Sequence, residues 1–195
     1  MGDDTNVEGP VLAASRQESS GAVPEGVEKL FVEHHRRVFQ AAYRITGSAT
    51  DAEDVLQTVF LRLLRREEAG GMGLSGTPGG YLHLAAVNGA LDIVRSRTSA
   101  RSSPLDEGGL ELAEAPRRGP EGRRADGEIR EALREALARL TPRAAEMFVL
   151  RYLEGFTNRE IARMTGRPQA VVAVTLHRAR RRLQKELHHF AGGRS

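Results

Sequence analysis

The segment 157–187 constrains the fold more than any other part of the chain, because it has the spacing of two helices joined by a tight turn. It reads TNREIARMTGRPQAVVAVTLHRARRRLQKEL. Thr157 and Glu160 are placed as in a capping box, which begins a helix. Gly166 supplies the turn, since a residue with a Cβ atom resists that conformation. The spacing that predicts a helix-turn-helix is carried by three residues: Ala162, Gly166 and Val172.

The helix after this turn is amphipathic and strongly basic. Its apolar residues predict a buried stripe: Val172, Leu176, Ala179, Leu183 and Leu187. The opposite face holds a second set, flanked by Arg180 and Arg182: Ala170, Val174, His177, Arg178, Arg181, Gln184 and Lys185. Arginine makes planar, multidentate contacts to phosphate, so this face favours binding to the DNA backbone. The alternative is that this face binds no partner and is simply exposed to solvent. The positive charges would then be stabilised by the dipole at the C-terminal end of their own helix.

The charge of the chain is unevenly distributed. Residues 128–195 contain 14 Arg and Lys against 7 Glu, whereas residues 1–127 contain 15 basic and 19 acidic residues. The basic second part suggests a polyanionic partner. The chain has no cysteine, which excludes disulfides and Cys-based zinc sites and fits a reducing compartment. No apolar run reaches the length of about 18 residues that spans a membrane, so no membrane insertion is predicted.

Three helices are predicted in the first part of the chain. The run VEKLFVEHHRRVFQAAYRI has apolar residues at helical spacing, and Gly47 ends it. Thr50 and Glu53 form a second capping box before the helix DAEDVLQTVFLRLLRR. Thr77 and Pro78 begin a third helix, which continues through YLHLAAVNGALDIVRSR.

The segment 99–127 interrupts this pattern, because it is rich in proline, glycine and mixed charge, and it is predicted to be a flexible linker. Two helices then precede the helix-turn-helix, EIREALREALARL and, after Thr141 and Pro142, RAAEMFVLRYLEG. No strand pattern occurs. We therefore predict an all-α fold with two small helical domains joined by this linker. The predicted divisions are a disordered N-terminal arm (1–26), a first domain (27–98), the linker (99–127), a helix-turn-helix domain (128–189) and a tail (190–195).

Three of these motifs, in this order, resemble the extracytoplasmic-function (ECF) group of the sigma-70 family, the sigma factors of bacterial RNA polymerase. DAEDVLQTVFLRLL is similar to the signature helix of the group, and YLHLAAVNGALDIVRSR resembles its third helix, with Asn88, Asp92 and Arg95 at matching positions. LTPRAAEMFVLRYLEGFTNREIARMTG followed by VTLHRARRRL resembles its C-terminal domain. The resemblance covers about residues 27–98 and 128–187.

The resemblance implies a role in transcription initiation. In the family, region 2 (here 27–98) binds core polymerase and the −10 promoter element, and region 4 (here 128–189) binds the −35 element. The helix 51–66 would dock on a coiled coil of the largest polymerase subunit. The residues that match this motif are Asp51, Glu53, Asp54, Gln57 and Phe60. Without the resemblance, the acids of this helix would be interpreted as complements to its N-terminal dipole.

The resemblance also implies DNA contacts in both regions. For the −10 element the candidate contacts on the third helix are Asn88, Arg95 and Arg97. For the −35 element the candidate contacts, chosen by their place on and before the recognition helix, are Arg167, Gln169, Thr175, His177, Arg178, Arg181, Arg182 and Lys185. The chain departs from the family near Tyr81, where a Trp is usual, and near Leu84 and Val87, where basic residues are usual. It also has VVAVT at 171–175, where Thr-Val-Lys-Ser-Arg is frequent, so alanine and valine there could contact thymine methyl groups.

Two functional classes follow from these patterns. One is a promoter-specificity subunit that works only with polymerase. The other is a stand-alone helix-turn-helix regulator whose N-terminal helical domain senses a signal or dimerises. The helix 51–60 favours the first class, since a sensor domain has no need of its motif.

An enzyme is not predicted, because no nucleophile, base or cofactor motif converges with the acids of the second helix. No cofactor or metal is expected, since the adjacent pairs His34-His35 and His188-His189 point about 100° apart on a helix and chelate poorly. The expected partners are core RNA polymerase and promoter DNA. The family is usually restrained by an anti-sigma factor, which would be a further partner, and no residue of this sequence shows one. The expected location is the cytoplasm.

Overall fold

The computed structural model describes residues 25–69, 77–101 and 120–192, which form seven α-helices. Their bounds are α1 (Glu25–Thr46), α2 (Ala49–Glu68), α3 (Pro78–Arg101), α4 (Pro120–Ala138), α5 (Pro142–Tyr152), α6 (Asn158–Thr165) and α7 (Gln169–Gly192). Those three ranges contain no strand, and the predicted all-α fold is confirmed. No helix within them is long and apolar enough to cross a bilayer.

Helices α1, α2 and α3 pack against one another as a three-helix unit. Its interior is built from apolar residues at helical spacing, among them Val38, Ala41, Ile45, Val55, Val59, Leu63, Leu82, Ala86 and Leu91. Small residues let the helices approach closely. At Gly89, for example, an added Cβ atom would lie 3.3 Å from a methyl carbon of Val55, which is tighter than usual packing. Glycine at this position therefore lets α3 lie close against α2.

Helices α4 to α7 form a second unit, in which α7 packs against α4, α5 and α6. Its buried residues include Leu137, Leu140, Val149, Leu150, Ile161, Val172, Leu176 and Leu183. Helix α5 begins after Thr141 with Pro142 in its first turn. Proline has no N–H, but an N–H in the first turn of a helix has no acceptor within the helix, so no hydrogen bond is lost. The short α6 and the long α7 are thus held by a shared apolar core beneath them.

The start of α2 differs from the prediction. The helix begins at Ala49, and the Ser48 hydroxyl accepts a hydrogen bond from the Asp51 backbone N–H at 3.3 Å. The predicted capping box of Thr50 and Glu53 is wrong, because Thr50 already lies inside the helix. The predicted stop at Gly47 is confirmed, since this residue has a φ of 71° that residues with a side chain rarely adopt.

The helix ends near the predicted linker extend further than the sequence pattern indicated. Helix α3 continues to Arg101 and α4 begins at Pro120, so 99–101 and 120–127 are helical. Similarly, α1 begins at Glu25 and α7 reaches Gly192, inside the predicted arm and tail. The rest of the linker, arm and tail lies outside the described residues, and the domain division stays a prediction.

The two units pack on each other through α3, which contacts α4, α5 and α6. Buried apolar residues of both units belong to one continuous cluster. The third helix of the first unit is therefore also part of the contact with the second.

Candidate polymerase and nucleic-acid interface

The turn between α6 and α7 has the predicted geometry. The Thr157 hydroxyl accepts a hydrogen bond from the Glu160 N–H, and the Glu160 carboxylate accepts one from the Thr157 N–H at 2.8 Å. These bonds with Thr157 lower the pKa of Glu160. Gly166 ends α6 in the left-handed conformation with a φ of 66°, and its N–H donates to the Ala162 carbonyl. The capping box and the glycine turn are confirmed.

Helix α7 buries one face and exposes a basic one. Val172, Leu176, Ala179 and Leu183 are buried, and Leu187 is half-buried. Of the residues predicted to contact −35 DNA, two are half-buried, Arg167 and Thr175, and six are exposed: Gln169, His177, Arg178, Arg181, Arg182 and Lys185. Arg181, Gln184, Lys185 and His188 line one open cleft along this face. A solvent-exposed row of cations on a rigid helix can bind a DNA backbone.

Helix α2 exposes three of the five residues that match the polymerase-binding motif: Glu53, Asp54 and Gln57. Asp51 is buried and accepts a hydrogen bond from Arg97 at 2.7 Å. Burial raises the pKa of Asp51 more than the charge of Arg97 lowers it. Phe60 is buried as well, and its ring packs edge-on against Phe31 at 4.9 Å between centroids. Asp51 and Phe60 therefore hold α2 within its own unit, and the exposed acids and amide are left for a partner.

The three residues that were predicted to contact the −10 element each have a carboxylate partner within the protein. Asn88 Nδ2 donates to Glu146 of α5 at 2.8 Å. Arg95 donates to Asp92 one turn earlier at 3.0 Å, and Arg97 pairs with Asp51. In this arrangement Asn88 faces the second unit, whereas Arg97 joins α3 to α2.

Comparison with known proteins assigns the family. The model described as Sigma-70 region 2 matches residues 30–100, and the one described as Sigma-70, region 4 matches residues 130–183. The chain is also 32% identical over 160 residues to the ECF RNA polymerase sigma factor SigE of Mycolicibacterium smegmatis, an alignment that covers 82% of this chain and 61% of that protein. The chain belongs to the ECF group of the sigma-70 family. Region 2 corresponds to α1–α3 and region 4 to α4–α7.

Other relatives share this match. The ECF sigma factor BldN of Streptomyces coelicolor is 33% identical over 146 residues, which is 74% of this chain and 53% of BldN. The chain thus spans 53% to 61% of the length of these two curated relatives. Among solved structures, the sigma factor RpoE of Bartonella quintana, in complex with the anti-sigma factor NepR, aligns with a TM-score of 0.48 and 17% identity, over 84% of this chain and 97% of that one.

The sequence patterns of this sigma factor did not predict the polar contacts between its regions 2 and 4. Glu154, just after α5, has a side chain only 2% exposed, and it accepts hydrogen bonds from Arg44 of α1 at 2.8 and 2.6 Å. His83 Nε2 of α3 lies 3.1 Å from the same carboxylate. Burial alone would raise the pKa of Glu154, but the hydrogen bonds from His83 and Arg44 outweigh it and lower the pKa to about 2. Glu154 is therefore an anion at neutral pH.

A further contact joins α4 of region 4 to the end of α1 in region 2. Arg134 Nε donates to the Ile45 carbonyl at 3.1 Å. A Cβ atom on Gly47 would overlap the Arg134 guanidinium, so glycine leaves room for this contact. Arg101 of α3 and Glu131 of α4 form another ion pair nearby. No local sequence signal links these partners, because they lie on helices that are distant in the chain.

Proposed function

We propose that this sigma factor binds core RNA polymerase and directs promoter-specific transcription initiation through −10 and −35 elements. The observation that carries the proposal is the exposed basic face of α7, opposite an apolar stripe that is buried against α4, α5 and α6. The relatives of the chain are RNA polymerase sigma factors by name, which supports the same function.

For the −35 element, we propose that α7 lies in the major groove. Residues near the N-terminal end of such a helix reach base edges, so Gln169, His177 and Arg178 are the proposed readers of sequence. Arg181, Arg182 and Lys185 lie further along the helix and are proposed to contact phosphate. The side chains of Arg167 and Thr175 are half-buried, and they would help to position α7 in the groove. Val174 is 50% exposed on the same helix and could pack against a thymine methyl group.

For core polymerase, we propose that the exposed face of α2 docks on the coiled coil of the largest subunit. Glu53, Asp54 and Gln57 can pair with basic side chains of that coiled coil. Leu61 follows Gln57 by one helical turn and is 51% exposed, so it extends this face with an apolar contact. Asp51 and Phe60 would act indirectly, by fixing α2 on its own unit.

For the −10 element, we propose contacts from α3. Asn88, Arg95 and Arg97 offer an amide and two guanidinium groups, which suit bases and phosphates of an opened strand. Each of them is bound to a carboxylate of the protein itself, so DNA binding requires an exchange of partners.

The proposed sigma factor supplies no catalytic group of its own, since the polymerase performs the chemistry of RNA synthesis. It would act in the cytoplasm, where the polymerase is. An anti-sigma factor stays an expectation from the family, because no residue of this sequence identifies one.

The test is transcription from a randomised promoter library by core polymerase with and without the full-length chain. We expect transcripts that share a two-part motif upstream of their start sites, and only when the chain is present. A chain that binds duplex DNA alone, fails to co-purify with core polymerase and selects no start sites would instead be a stand-alone regulator.

A further inference from the structure

The first turns of α7 carry an exposed surface that is entirely aliphatic. Within 170–174 only Val172 is buried. The other four side chains are exposed and form what we call the aliphatic patch: Ala170, Val171, Ala173 and Val174. Val171 is 44% exposed and Val174 is 50% exposed. None of these side chains has a hydrogen-bond donor or acceptor, so the aliphatic patch can recognise a partner only by shape and apolar contact.

The fold of the chain does not account for the two exposed valines. Val172 supplies the contact of this segment with the core and is fully buried. Valine is also a weaker helix former than alanine, lysine or arginine, because its branched side chain loses rotamer freedom in a helix. Single exposed apolar residues are common on protein surfaces. Two neighbouring exposed valines on one helix gain neither packing nor helix stability, and they point to a contact with something outside the chain.

The charges around the aliphatic patch indicate the chemistry of its partner. His177, Arg178 and Arg181 follow the patch on α7 and are exposed. Arg181 lies seven residues after Val174, so helical geometry places both on nearly the same face. A partner that covers the patch must therefore also accept a row of cations, which favours the phosphates of DNA. The apolar group that duplex DNA offers in its major groove is the C5-methyl group of thymine.

The spacing of the two valines suits the base pairs of a duplex. Residues three apart on a helix are neighbours, with about 5–6 Å between their Cβ atoms. Successive base pairs are about 3.4 Å apart along the duplex, so Val171 and Val174 span one to two base-pair steps. Residues at the N-terminal end of a recognition helix are also the ones that reach base edges. Each valine can therefore contact a separate methyl group.

We propose that the aliphatic patch reads C5-methyl groups, so that the −35 element of this sigma factor contains one or two thymines whose methyl groups contact Val171 and Val174. The group that is recognised is the methyl group and not the hydrogen-bonding pattern of the base. 5-Methylcytosine carries the same methyl group at the same ring position, so it should be bound better than cytosine at these positions. The inference rests on the proposed function, because it places α7 in the major groove of the −35 element.

The size of the expected effect follows from the burial of a methyl group. Removal of one methylene-sized apolar group from water changes an equilibrium constant about fourfold. Loss of both methyl contacts should therefore weaken binding about fifteenfold.

The experiment compares DNA that differs only in its methyl groups. Duplexes are selected from a randomised pool by the full-length chain, alone and together with core polymerase. Each thymine of the selected −35 element is then replaced by deoxyuridine, which lacks only the methyl group, one position at a time and in pairs. At the positions that respond, cytosine is compared with 5-methylcytosine, both paired with guanine. Affinity is measured by competition against the selected duplex.

The same duplexes are titrated with the double variant Val171→Ala and Val174→Ala. Alanine is a better helix former than valine and both positions are exposed, so the variant should keep its fold, which circular dichroism checks. The matched control is Val32→Ala on α1, because Val32 is 66% exposed and lies outside region 4. It removes the same two methyl groups from a surface that is not proposed to contact DNA.

We expect wild type and Val32→Ala to lose about fourfold in affinity for one deoxyuridine at a contacted position and about fifteenfold for two. 5-Methylcytosine should bind about fourfold more tightly than cytosine at the same position. The double valine variant should bind the thymine and deoxyuridine duplexes equally. The inference is overturned if deoxyuridine binds as tightly as thymine at every position, or if the double variant discriminates as well as wild type does.

The outcomes separate this inference from the proposed function. Transcripts with a shared upstream motif but no effect of deoxyuridine would retain the function and reject methyl recognition. A valine-dependent effect of deoxyuridine without promoter-specific transcripts would reject the function and retain methyl recognition in a stand-alone regulator. A chain that binds no duplex, either alone or with core polymerase, would reject both.

Discussion

Arg44 and Glu154 are 110 positions apart in the chain, and their side chains form a bidentate ion pair with both N–O distances below 3 Å. Arg44 lies near the end of α1, in region 2, and Glu154 precedes α6, in region 4. Together with His83, this pair places one ionised carboxylate at the contact between the two regions.

The first prediction concerns acid. The pKa of Glu154 is lowered from 4.5 to about 2, so the folded state favours its ionised form. Its contribution to stability is fully present above pH 4.5 and is lost as the pH falls from there towards 2. The contribution amounts to at most about 3 kcal/mol. Urea unfolding between pH 2 and 7 should show a smaller acid destabilisation for Glu154→Gln than for wild type. Parallel pH profiles of the two proteins would contradict the assignment.

The second prediction concerns the turn of the helix-turn-helix. Gly166 has a φ of 66°, and an added Cβ atom there would meet open space. Gly166→Ala should therefore destabilise the protein through backbone strain alone, by about 1–2 kcal/mol. The control is Gly127→Ala in α4, where the Cβ atom also meets nothing but the backbone is helical. That change should stabilise the protein by about 0.5–1 kcal/mol. Thermal unfolding of both variants measures the contrast, and equal effects would refute it.

The third prediction separates two roles on α7, contact with phosphate and recognition of bases. Arg181→Ala should weaken binding to all duplex sequences and lower the salt slope by about one unit, because it removes one phosphate contact. Gln169→Ala should instead change which −35 sequences are preferred, by about 1–3 kcal/mol at one base pair. Selection from a randomised duplex pool at several salt concentrations distinguishes the two effects. If Arg181→Ala alters sequence preference and leaves the salt slope unchanged, α7 is rotated differently in the groove.

The fourth prediction concerns the polymerase face of α2. Asp54→Arg combined with Gln57→Ala should abolish co-purification with core polymerase while helicity is retained, since both side chains are exposed. Glu68→Arg makes the same reversal of charge on the same helix, outside the motif, and should bind core normally. Loss of binding in both variants would point to net charge, and normal binding in the double variant would place the docking surface elsewhere.

The sequence predicted the helix-turn-helix because its signals are local. The capping box of Thr157 and Glu160 and the left-handed Gly166 each act within one or two turns of helix, and the buried stripe of α7 follows from helical periodicity. Where two local signals competed, one prediction was wrong: Ser48 rather than Thr50 caps α2. The basic face of α7 could also be predicted from the sequence, since residues opposite a buried stripe must face solvent.

Tertiary structure decided which of the motif residues are available to partners. Asp51 and Phe60 match the same motif as Asp54 and Gln57, yet they are buried. Asp51 contacts Arg97 of α3 and Phe60 contacts Phe31 of α1, and both contacts arise only when the helices pack together. Glu154 looks like an ordinary acid beside a glycine in the sequence, and only the packing of α5 against α3 brings it to Arg44 and His83. Periodicity determines which side of a helix is apolar, but the partner of a charged side chain depends on how distant helices dock. For this reason the sequence by itself determined the helices, their faces and the family, and the tertiary structure decided the contacts that hold region 2 against region 4.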